Sequence, residues 1–397
     1  MQVYADNAAT TRISPRALAA MMPYYETIYG NPSSLHSFGQ QAKEALEEAR
    51  ERMARQLGAS PRELYFTSGG TEADNMALRT AAALGARKGK KHLISTAFEH
   101  HAVLHTLKKL EKEGFEVTLL EVGPLGTVTA EQVRAALRPD TALVSCMYAN
   151  NEIGSILPIR EIGAVCREAG VLFHTDAVQA VGHIPVDVQA DHIDLLSLSG
   201  HKFCGPRGVG VLYARKGIAP LNLMEGGAQE RKRRPGTENL PAILGMAEAL
   251  DEACEQMEEN SRYVTGLRDQ LIEGLSRIPH SLLNGDPIHR LPGNVSFCFE
   301  GIEGEAMLLL LDAAGVCASS GSACTSGSLE PSHVLLALGR PHEIAHGSIR
   351  LSLNHTNTQE EIDHILEVLP NVIQRLRGMS PVWRDLQEGT REFVIKE

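Results

Sequence analysis

The stretch Leu195-Leu196-Ser197-Leu198-Ser199-Gly200-His201-Lys202 decides how this chain is interpreted. An apolar run that ends in a glycine predicts a buried strand, and Lys202 then lies just past its carboxyl end. A second such run ends at Asp176. A lysine that forms a Schiff base, with an acid that pairs with a protonated pyridine nitrogen, is what a pyridoxal phosphate (PLP) enzyme requires. An exposed lysine and a turn-capping aspartate are the alternative, so the remaining sequence has to decide.

Strand-like and helix-like segments alternate around this stretch, which predicts an α/β fold with a mostly parallel sheet. A helix is expected at about 40–57, where apolar residues recur at helical spacing and Gly58 follows as a C-terminal cap. A second helical stretch is expected at 73–83. The predicted strands are 63–67, 92–95, 116–121, 142–147, 172–175, 195–199 and 210–214.

The pattern changes near residue 258, where a smaller α+β domain is expected. Helices are predicted at 260–278 and 305–314, strands at 294–299 and 348–353, and a last helix begins with a capping box formed by Thr358 and Glu361. We therefore expect a large PLP-binding domain over residues 15–257. The small domain would comprise residues 1–14 and 258–397.

Composition narrows the class of protein. The 397 residues include 38 basic and 49 acidic side chains, a net charge of −11 that is spread without blocks, so nucleic acid and membrane partners are not expected. The first residues do not resemble a signal peptide and no apolar run approaches the roughly 18 residues of a membrane span, so a cytoplasmic location is expected. The seven cysteines lack paired spacing, which predicts reduced thiols and no intrinsic metal site.

Three further polar stretches follow predicted strands. Thr67-Ser68-Gly69-Gly70-Thr71-Glu72 precedes a helix, where free amides and the helix dipole favour a phosphate. Tyr148-Ala149-Asn150-Asn151-Glu152-Ile153-Gly154 and Phe98-Glu99-His100-His101 follow two other strands, at the edge where ligands of such sheets bind. Each could be an ordinary turn or a capped loop, but their common edge favours a cofactor site. A histidine there can stack on a ring or move protons.

The predicted small domain carries two more candidate residues. The stretch 318–328 is rich in serine and glycine around Cys324, which predicts a mobile loop that presents a thiol nucleophile. An incidental free thiol is the alternative. Arg350 lies in an alternating strand, and its guanidinium could bind a substrate carboxylate through two hydrogen bonds rather than simply face solvent.

Taken together, these motifs resemble the cysteine desulfurase family of class V, fold type I PLP enzymes, and most closely its NifS branch. The resemblance runs from Asp6-Asn7-Ala8-Ala9-Thr10-Thr11 to Gly321-Ser322-Ala323-Cys324-Thr325-Ser326-Gly327-Ser328, with Ser380-Pro381-Val382-Trp383 favouring NifS. It implies the PLP-dependent transferase fold type I. Gly70 departs from the family pattern, since many relatives carry alanine or cysteine there.

The resemblance also implies a role for each candidate residue. Lys202 would anchor PLP and act as the base, Asp176 would pair with the ring nitrogen, and His100 would stack on the ring. Arg350 would hold the carboxylate of L-cysteine, beside Asn151. The remaining cofactor contacts would come from Gln179 and Asn151 at the phenolic oxygen, from Gly70, Thr71, Ser199 and His201 around the phosphate, and from Thr237, which would reach the phosphate site of the other subunit in a homodimer. Gly200, between Ser199 and His201, is also expected to bind the cofactor.

The implied activity is the conversion of L-cysteine to L-alanine, with the sulfur passed to Cys324 as a persulfide. An iron-sulfur scaffold protein, in a nitrogenase-related pathway, would be the acceptor, and Cys324 could share a transient cluster with it. Three alternatives stay open: a selenocysteine lyase, a small-substrate aminotransferase, and a sulfur carrier whose PLP site has lapsed. An aminotransferase would need no thiol on a mobile loop.

Overall fold

A computed structural model describes residues 1–320 and 330–396 of the chain. Its strands are β1 (Val3–Tyr4), β2 (Leu64–Thr67), β3 (His92–Thr96), β4 (Glu116–Leu120), β5 (Thr141–Ser145), β6 (Leu172–Asp176), β7 (Leu195–Ser199), β8 (Gly210–Ala214), β9 (Ser281–Leu283), β10 (Asn294–Phe299), β11 (Val316–Cys317) and β12 (Ser348–Ser352). Its helices are α1 (Pro15–Met21), α2 (Pro23–Glu26), α3 (Ser37–Gln56), α4 (Gly70–Ala86), α5 (His101–Lys112), α6 (Ala130–Ala136), α7 (Ile159–Ala169), α8 (Gln229–Lys232), α9 (Leu240–Glu255), α10 (Met257–Leu275), α11 (Gly304–Ala313), α12 (His333–Ala337), α13 (His342–His346), α14 (Gln359–Met379) and α15 (Pro381–Gln387).

Seven strands form the large sheet, in the order β2-β8-β7-β6-β5-β3-β4. The neighbours from β7 to β4 are parallel, as expected for strands joined by helical crossovers. β8 is antiparallel to both β7 and β2. The segment between Ser199 and Gly210 is too short for a helical crossover, so the chain turns straight back.

A smaller sheet, in the order β12-β10-β9, is antiparallel throughout. Its apolar face packs with α10, α11 and α14 into a second core that includes Val3 and Ala5 from the start of the chain. β1 pairs in parallel with β11, and Ser352 donates its amide to the Ala5 carbonyl at 2.7 Å. Residues near the N-terminus therefore pack with this second layer.

The predicted elements occur with small shifts at their ends. β5 ends at Ser145, two residues before the predicted end. The amide of Met147 donates to Glu99 Oε1 at 2.9 Å and not to a carbonyl of a neighbouring strand. α3 begins earlier than expected because the His36 ring caps its first turn. Gly58, just after α3, has φ of 67°, the left-handed conformation of a C-terminal cap.

The capping box at the start of α14 is present, since the Thr358 hydroxyl accepts the Glu361 amide and the Glu361 carboxylate accepts the Thr358 amide. α14 is not the last helix, however. Ser380 caps a further helix, α15, by accepting the amide of Trp383. Across residues 1–320 and 330–396, we find no helix with the length and apolar character needed to cross a bilayer.

Candidate active site

The carboxyl ends of the parallel strands open into a cavity of about 420 Å³. Its wall combines the turns after β5, β6 and β7, the start of α4, and β12 of the smaller sheet. Parallel strands bring their carboxyl ends to one edge, so residues far apart in sequence meet there. The predicted site residues that line this cavity are Gly70, Thr71, His100, Asn151, Asp176, Gln179, Ser199, His201, Lys202 and Arg350.

Lys202 lies in a short 3-10 turn that directly follows β7. Its Nζ donates to the carbonyls of Ala8 at 2.6 Å and Ala9 at 2.8 Å. The Nε2 of His183 donates to the Lys202 carbonyl at 2.9 Å. The amine is therefore directed at the cavity wall, where it contacts the N-terminal segment.

Asp176 is the last residue of β6, the parallel neighbour of β7. The register pairs Asp176 with Ser197, which explains why its carboxylate and the Lys202 amine lie at the same edge. Its Oδ1 accepts the amide of Val178 at 3.0 Å. Burial raises the pKa of Asp176, and the nearby His100 and Lys202 oppose this rise.

The start of α4 forms another side of the cavity. Gly69 has φ of 150°, a conformation that glycine adopts without strain, and it turns the chain from β2 into the helix. The first amides of the helix have no acceptor within it, and Gly70 and Thr71 line the cavity. A Cβ at position 70 would lie 2.6 Å from Val178 Cγ2, which is a physical reason for glycine at this position.

Two histidines line the cavity, His201 in the turn after β7 and His100 at the start of α5. His201 Nδ1 is 3.1 Å from Thr10 Oγ1, and burial, followed by the charges of Lys202 and Arg207, lowers its pKa to about 4. His201 is thus neutral near pH 7. His100 caps α5 by accepting the Ala102 amide at its Nδ1, at 3.1 Å.

Arg350 crosses from β12 into the cavity and is 1% exposed. Its Nη2 donates to Asp6 Oδ1 at 2.8 Å, and its Nη1 donates to the Asn151 carbonyl at 3.3 Å. Arg350 Nε is buried without a hydrogen-bond partner among the described residues. A buried guanidinium nitrogen without an acceptor is costly, which favours a ligand at this position.

Cys324 lies outside the described residues, but both flanks of segment 321–329 contact the cavity wall. Upstream, Ser319 and Arg350 exchange backbone hydrogen bonds of 3.2 and 2.6 Å. Downstream, His333 lines the cavity and its Nε2 donates to the Glu99 carbonyl at 2.9 Å. The described residues on both sides of segment 321–329 therefore contact residues of the cavity wall.

Two predicted residues do not line this cavity. Gly200 lies behind the wall, where a Cβ would come within 3.0 Å of Met246 Cγ. Its two neighbours, Ser199 and His201, line the cavity instead. Thr237 is exposed in the single chain, and the role predicted for it concerns the site of another subunit.

Three buried acids of the cavity wall were missed by the sequence analysis: Asp74, Glu99 and Glu152. Burial is the largest cause of a raised pKa in each, to about 8 for Glu99 and about 7 for Glu152. Glu99 and Glu152 stand in strand-end stretches already noted, and Asp74 is one helical turn after Gly70. Their positions were visible, but their burial was not.

The class-V aminotransferase family model matches residues 3–365. The chain belongs to this aminotransferase family. A cysteine desulfurase IscS of Methanosarcina thermophila is 55% identical over 380 residues, which cover 96% of this chain and 94% of the relative. A cysteine desulfurase of Trichormus azollae is 49% identical over 395 residues, 98% of each chain.

Solved structures agree with this class-V assignment. A NifS-like protein matches with a TM-score of 0.89 at 39% identity, covering 95% of this chain and 100% of that one. A structure of SspA in complex with cysteine matches with a TM-score of 0.79 at 34% identity, over 90% and 100% of the two chains. The chain is therefore a cysteine desulfurase of the PLP-dependent class-V enzymes, which confirms the predicted family, fold and cofactor.

The cavity of this class-V enzyme suits PLP. The amine of Lys202 can bond an aldehyde, and the carboxylate of Asp176 can pair with a pyridinium. The side-chain-free Gly70, at the first turn of α4, leaves amides open to a phosphate. An amine, a carboxylate and a helix N-terminus are three kinds of group that this cofactor needs.

Proposed function

We propose that the chain converts L-cysteine to L-alanine and collects the sulfur on Cys324 as a persulfide. The observation that carries the proposal is the convergence of Lys202, Asp176 and Arg350 on one cavity. Near segment 321–329, Ser319 is hydrogen-bonded to Arg350 upstream and His333 lines the cavity downstream. The structural neighbour described as SspA in complex with cysteine supports a cysteine substrate. These observations support a complete PLP site rather than a lapsed one.

Lys202 would hold the aldehyde carbon of PLP, and Asp176 would hold the proton on its ring nitrogen. His100 would stack on the ring, and Gln179 with Asn151 would contact its phenolic oxygen. The residues proposed for the phosphate are Gly70, Thr71, Ser199 and His201. When bound, PLP supplies an electron sink for the charge that develops at the α-carbon of the substrate.

Arg350 would bind the substrate carboxylate. Its guanidinium is buried, and its Nε has no hydrogen-bond partner among the described residues. Asp6 accepts a hydrogen bond from its Nη2 at 2.8 Å. A planar guanidinium binds a carboxylate through two parallel hydrogen bonds, which also orients the molecule. This contact would direct the α-proton of cysteine toward Lys202 Nζ, the base that takes it.

The Cys324 thiolate would attack the sulfur of the substrate. The new S–S bond forms as the C–S bond breaks, and the electron pair of that bond stays with the substrate carbons. Those carbons then take up protons and leave as alanine. Cys324 follows Ser320 by four residues, a reach of at most about 14 Å for an extended chain, and the neighbouring Ser319 is hydrogen-bonded to Arg350 of the cavity wall.

Cys324→Ala tests the proposal. We expect alanine formation from cysteine to fall by about 100-fold or more, because no thiol remains to accept sulfur. The absorbance of bound PLP should persist. Cys317→Ala is the matched control, since Cys317 lies in β11 outside the cavity lining and its loss should leave turnover near normal. Undiminished turnover in Cys324→Ala would exclude this nucleophile.

We further propose an iron-sulfur scaffold protein as the acceptor of the persulfide sulfur, with Cys324 as a transient cluster ligand shared with it. The cysteines of the described part are unpaired thiols, which suits a reducing cytoplasm. Radiolabelled cysteine should transfer sulfur to a purified scaffold only when Cys324 is present. Label that reaches the scaffold from Cys324→Ala would contradict this route. A dedicated role in nitrogen fixation stays a prediction.

A homodimer is also proposed. Several large apolar side chains near the N-terminus are exposed in the single chain, among them Tyr29 and Leu35, and the Tyr29 ring packs on Phe38 at 5.7 Å. A surface of this kind favours coverage by a second copy. Thr237 is exposed and so is available to the site of that copy. Sedimentation should give a dimer that Leu35→Glu weakens, and a wild-type monomer would refute the proposal.

The predicted division into residues 15–257 and residues 1–14 with 258–397 is retained as part of the proposal. The packing of Val3 and Ala5 with α10, α11 and α14 supports it. Limited proteolysis should cut first near residues 256–258, between the two cores. Preferred cleavage within either core would argue against this boundary.

A further inference from the structure

We propose that Asp74 is a positioning residue that carries a proton and donates it in a hydrogen bond to Asp176, which keeps Asp176 ionised opposite the ring nitrogen. The inference rests on the function proposed above, because it concerns the charge of the residue assigned to that nitrogen. Asp74 itself touches neither substrate nor the reacting carbon in this scheme.

The geometry brings Asp74 and Asp176 together at the wall of the cavity. Asp74 follows Gly70 by one helical turn, so both face the same side of α4. A carboxylate oxygen of Asp74, a carboxylate oxygen of Asp176 and a ring nitrogen of His100 all lie within 4.8 Å of one another. Asp74 is 1% exposed, and its Oδ1 has no hydrogen-bond partner among the described residues.

The groups around Asp74 offer little positive charge. His174 Nε2 lies 3.6 Å from Asp74 Oδ1, but burial lowers the pKa of His174 to about 3, so this ring is neutral. Its Nδ1 and Nε2 contact the hydroxyls of Ser145 and Ser197. Four titratable groups face the pair formed by Asp74 and Asp176. They are His174 from β6, Glu99 after β3, His100 at the start of α5, and Lys202 after β7.

Two carboxyl groups this close and this buried do not both ionise. Burial, then the charge of Asp176, raises the pKa of Asp74 well above its usual value, and a hydrogen bond with Ser197 only partly opposes this. His100, Lys202 and a hydrogen bond with Asp74 all favour the ionised form of Asp176. The proton of the pair therefore belongs on Asp74.

The first test measures thermal unfolding of the full chain without PLP. A buried acid with a raised pKa stabilises the fold at low pH, and this stabilisation is lost as the pH rises toward the folded pKa. Asp74→Asn removes that titration. The melting temperature of Asp74→Asn relative to wild type should therefore rise by about 2 °C or more between pH 5 and pH 8.

Thr80→Ala provides the matched control on the same helix. Thr80 is buried and its hydroxyl donates to the Met76 carbonyl at 2.5 Å, but it does not titrate. Its loss should lower the melting temperature by the same amount at both pH values. A pH-independent offset for Asp74→Asn would overturn the inference, because a packing role alone gives that result. This outcome does not depend on whether the chain desulfurates cysteine.

The second test measures the affinity of the full chain for PLP as a function of pH, by absorbance. Affinity should rise as Asp176 ionises. Asp74→Ala removes the donor and should move that rise to higher pH by about one unit, the effect of one hydrogen bond to a charged group. Asp74→Asn keeps a donor and should follow wild type.

Equal shifts in both Asp74 variants, or no shift in Asp74→Ala, would overturn the inference. Absence of PLP binding by wild type at every pH would instead refute the proposed function. In that case the unfolding experiment still decides whether Asp74 carries the proton. The two failures are therefore distinguishable.

Discussion

The edge of the large sheet and Arg350, the middle residue of β12, face the same cavity, but their polar groups are bound differently. Asp176 and Lys202 lie at strand ends, and each is bound by backbone groups of its own layer or of the N-terminal segment. Arg350 reaches over from the smaller sheet and keeps Nε without a partner among the described residues. This difference is consistent with the proposal that one wall holds the cofactor and Arg350 binds the substrate.

The largest effect is expected at Lys202, on the wall formed by the large sheet. Lys202→Ala should lower alanine formation by about 1000-fold or more, because the base and the anchor are both lost. The absorbance of Schiff-base-bound PLP should be absent. Lys216→Ala, at an exposed position after β8, should keep both. Normal turnover in Lys202→Ala would remove the large-sheet wall from the mechanism.

A smaller effect is expected at the substrate wall. Arg350→Lys keeps the charge but loses the planar pair of donors, so kcat/KM for cysteine should fall by about 10- to 100-fold. Most of the loss should appear in KM, while PLP affinity stays near that of wild type. Arg375→Lys, on the exposed face of α14, is the control. An unchanged KM would show that the carboxylate binds elsewhere.

The smallest effect concerns Glu152, a buried acid of the cavity wall whose carboxylate accepts a hydrogen bond from Ser332. Burial raises its pKa to about 7, so the wild type loses stability as the pH rises from about 4.5 through 7. The melting temperature of Glu152→Gln relative to wild type should rise by roughly 3 °C over this window. Glu161→Gln, exposed at the start of α7, should show no such trend. A constant difference for Glu152→Gln would mean that the buried acid does not titrate there.

The strand-end residues were predictable because a short rule connects them to the fold. An apolar run marks the strand, and parallel strands share an edge, so Lys202 and Asp176 had to meet. The antiparallel direction of β8 was missed, although the short link after Ser199 could have indicated it. The cofactor contact of Gly200 stays a prediction, since its place in the motif did not show that an added Cβ would lie 3.0 Å from Met246 Cγ.

The buried acids were not predictable in the same way. Asp74 lies on a helix whose inward face is known only once α4 is packed on the sheet, and its raised pKa depends on the closeness of Asp176. Glu99 was visible beside His100, but an acid in a loop is usually solvated. Its hydrogen bond with the Met147 amide could not be predicted, because it depends on the distance between the turns after β3 and β5.

By itself, the sequence determined the strands, the α/β class, the family and the residue types of the site, because hydrophobic period and motif spacing are local properties of a chain. Only the tertiary structure decided that Arg350 meets Asp6, Asn151 and Ser319, that His333 lines the cavity, and that Asp74 lies near Asp176. Burial and charge interactions depend on distances between segments remote in sequence. Those distances, and the protonation states that follow from them, exist only after the layers pack.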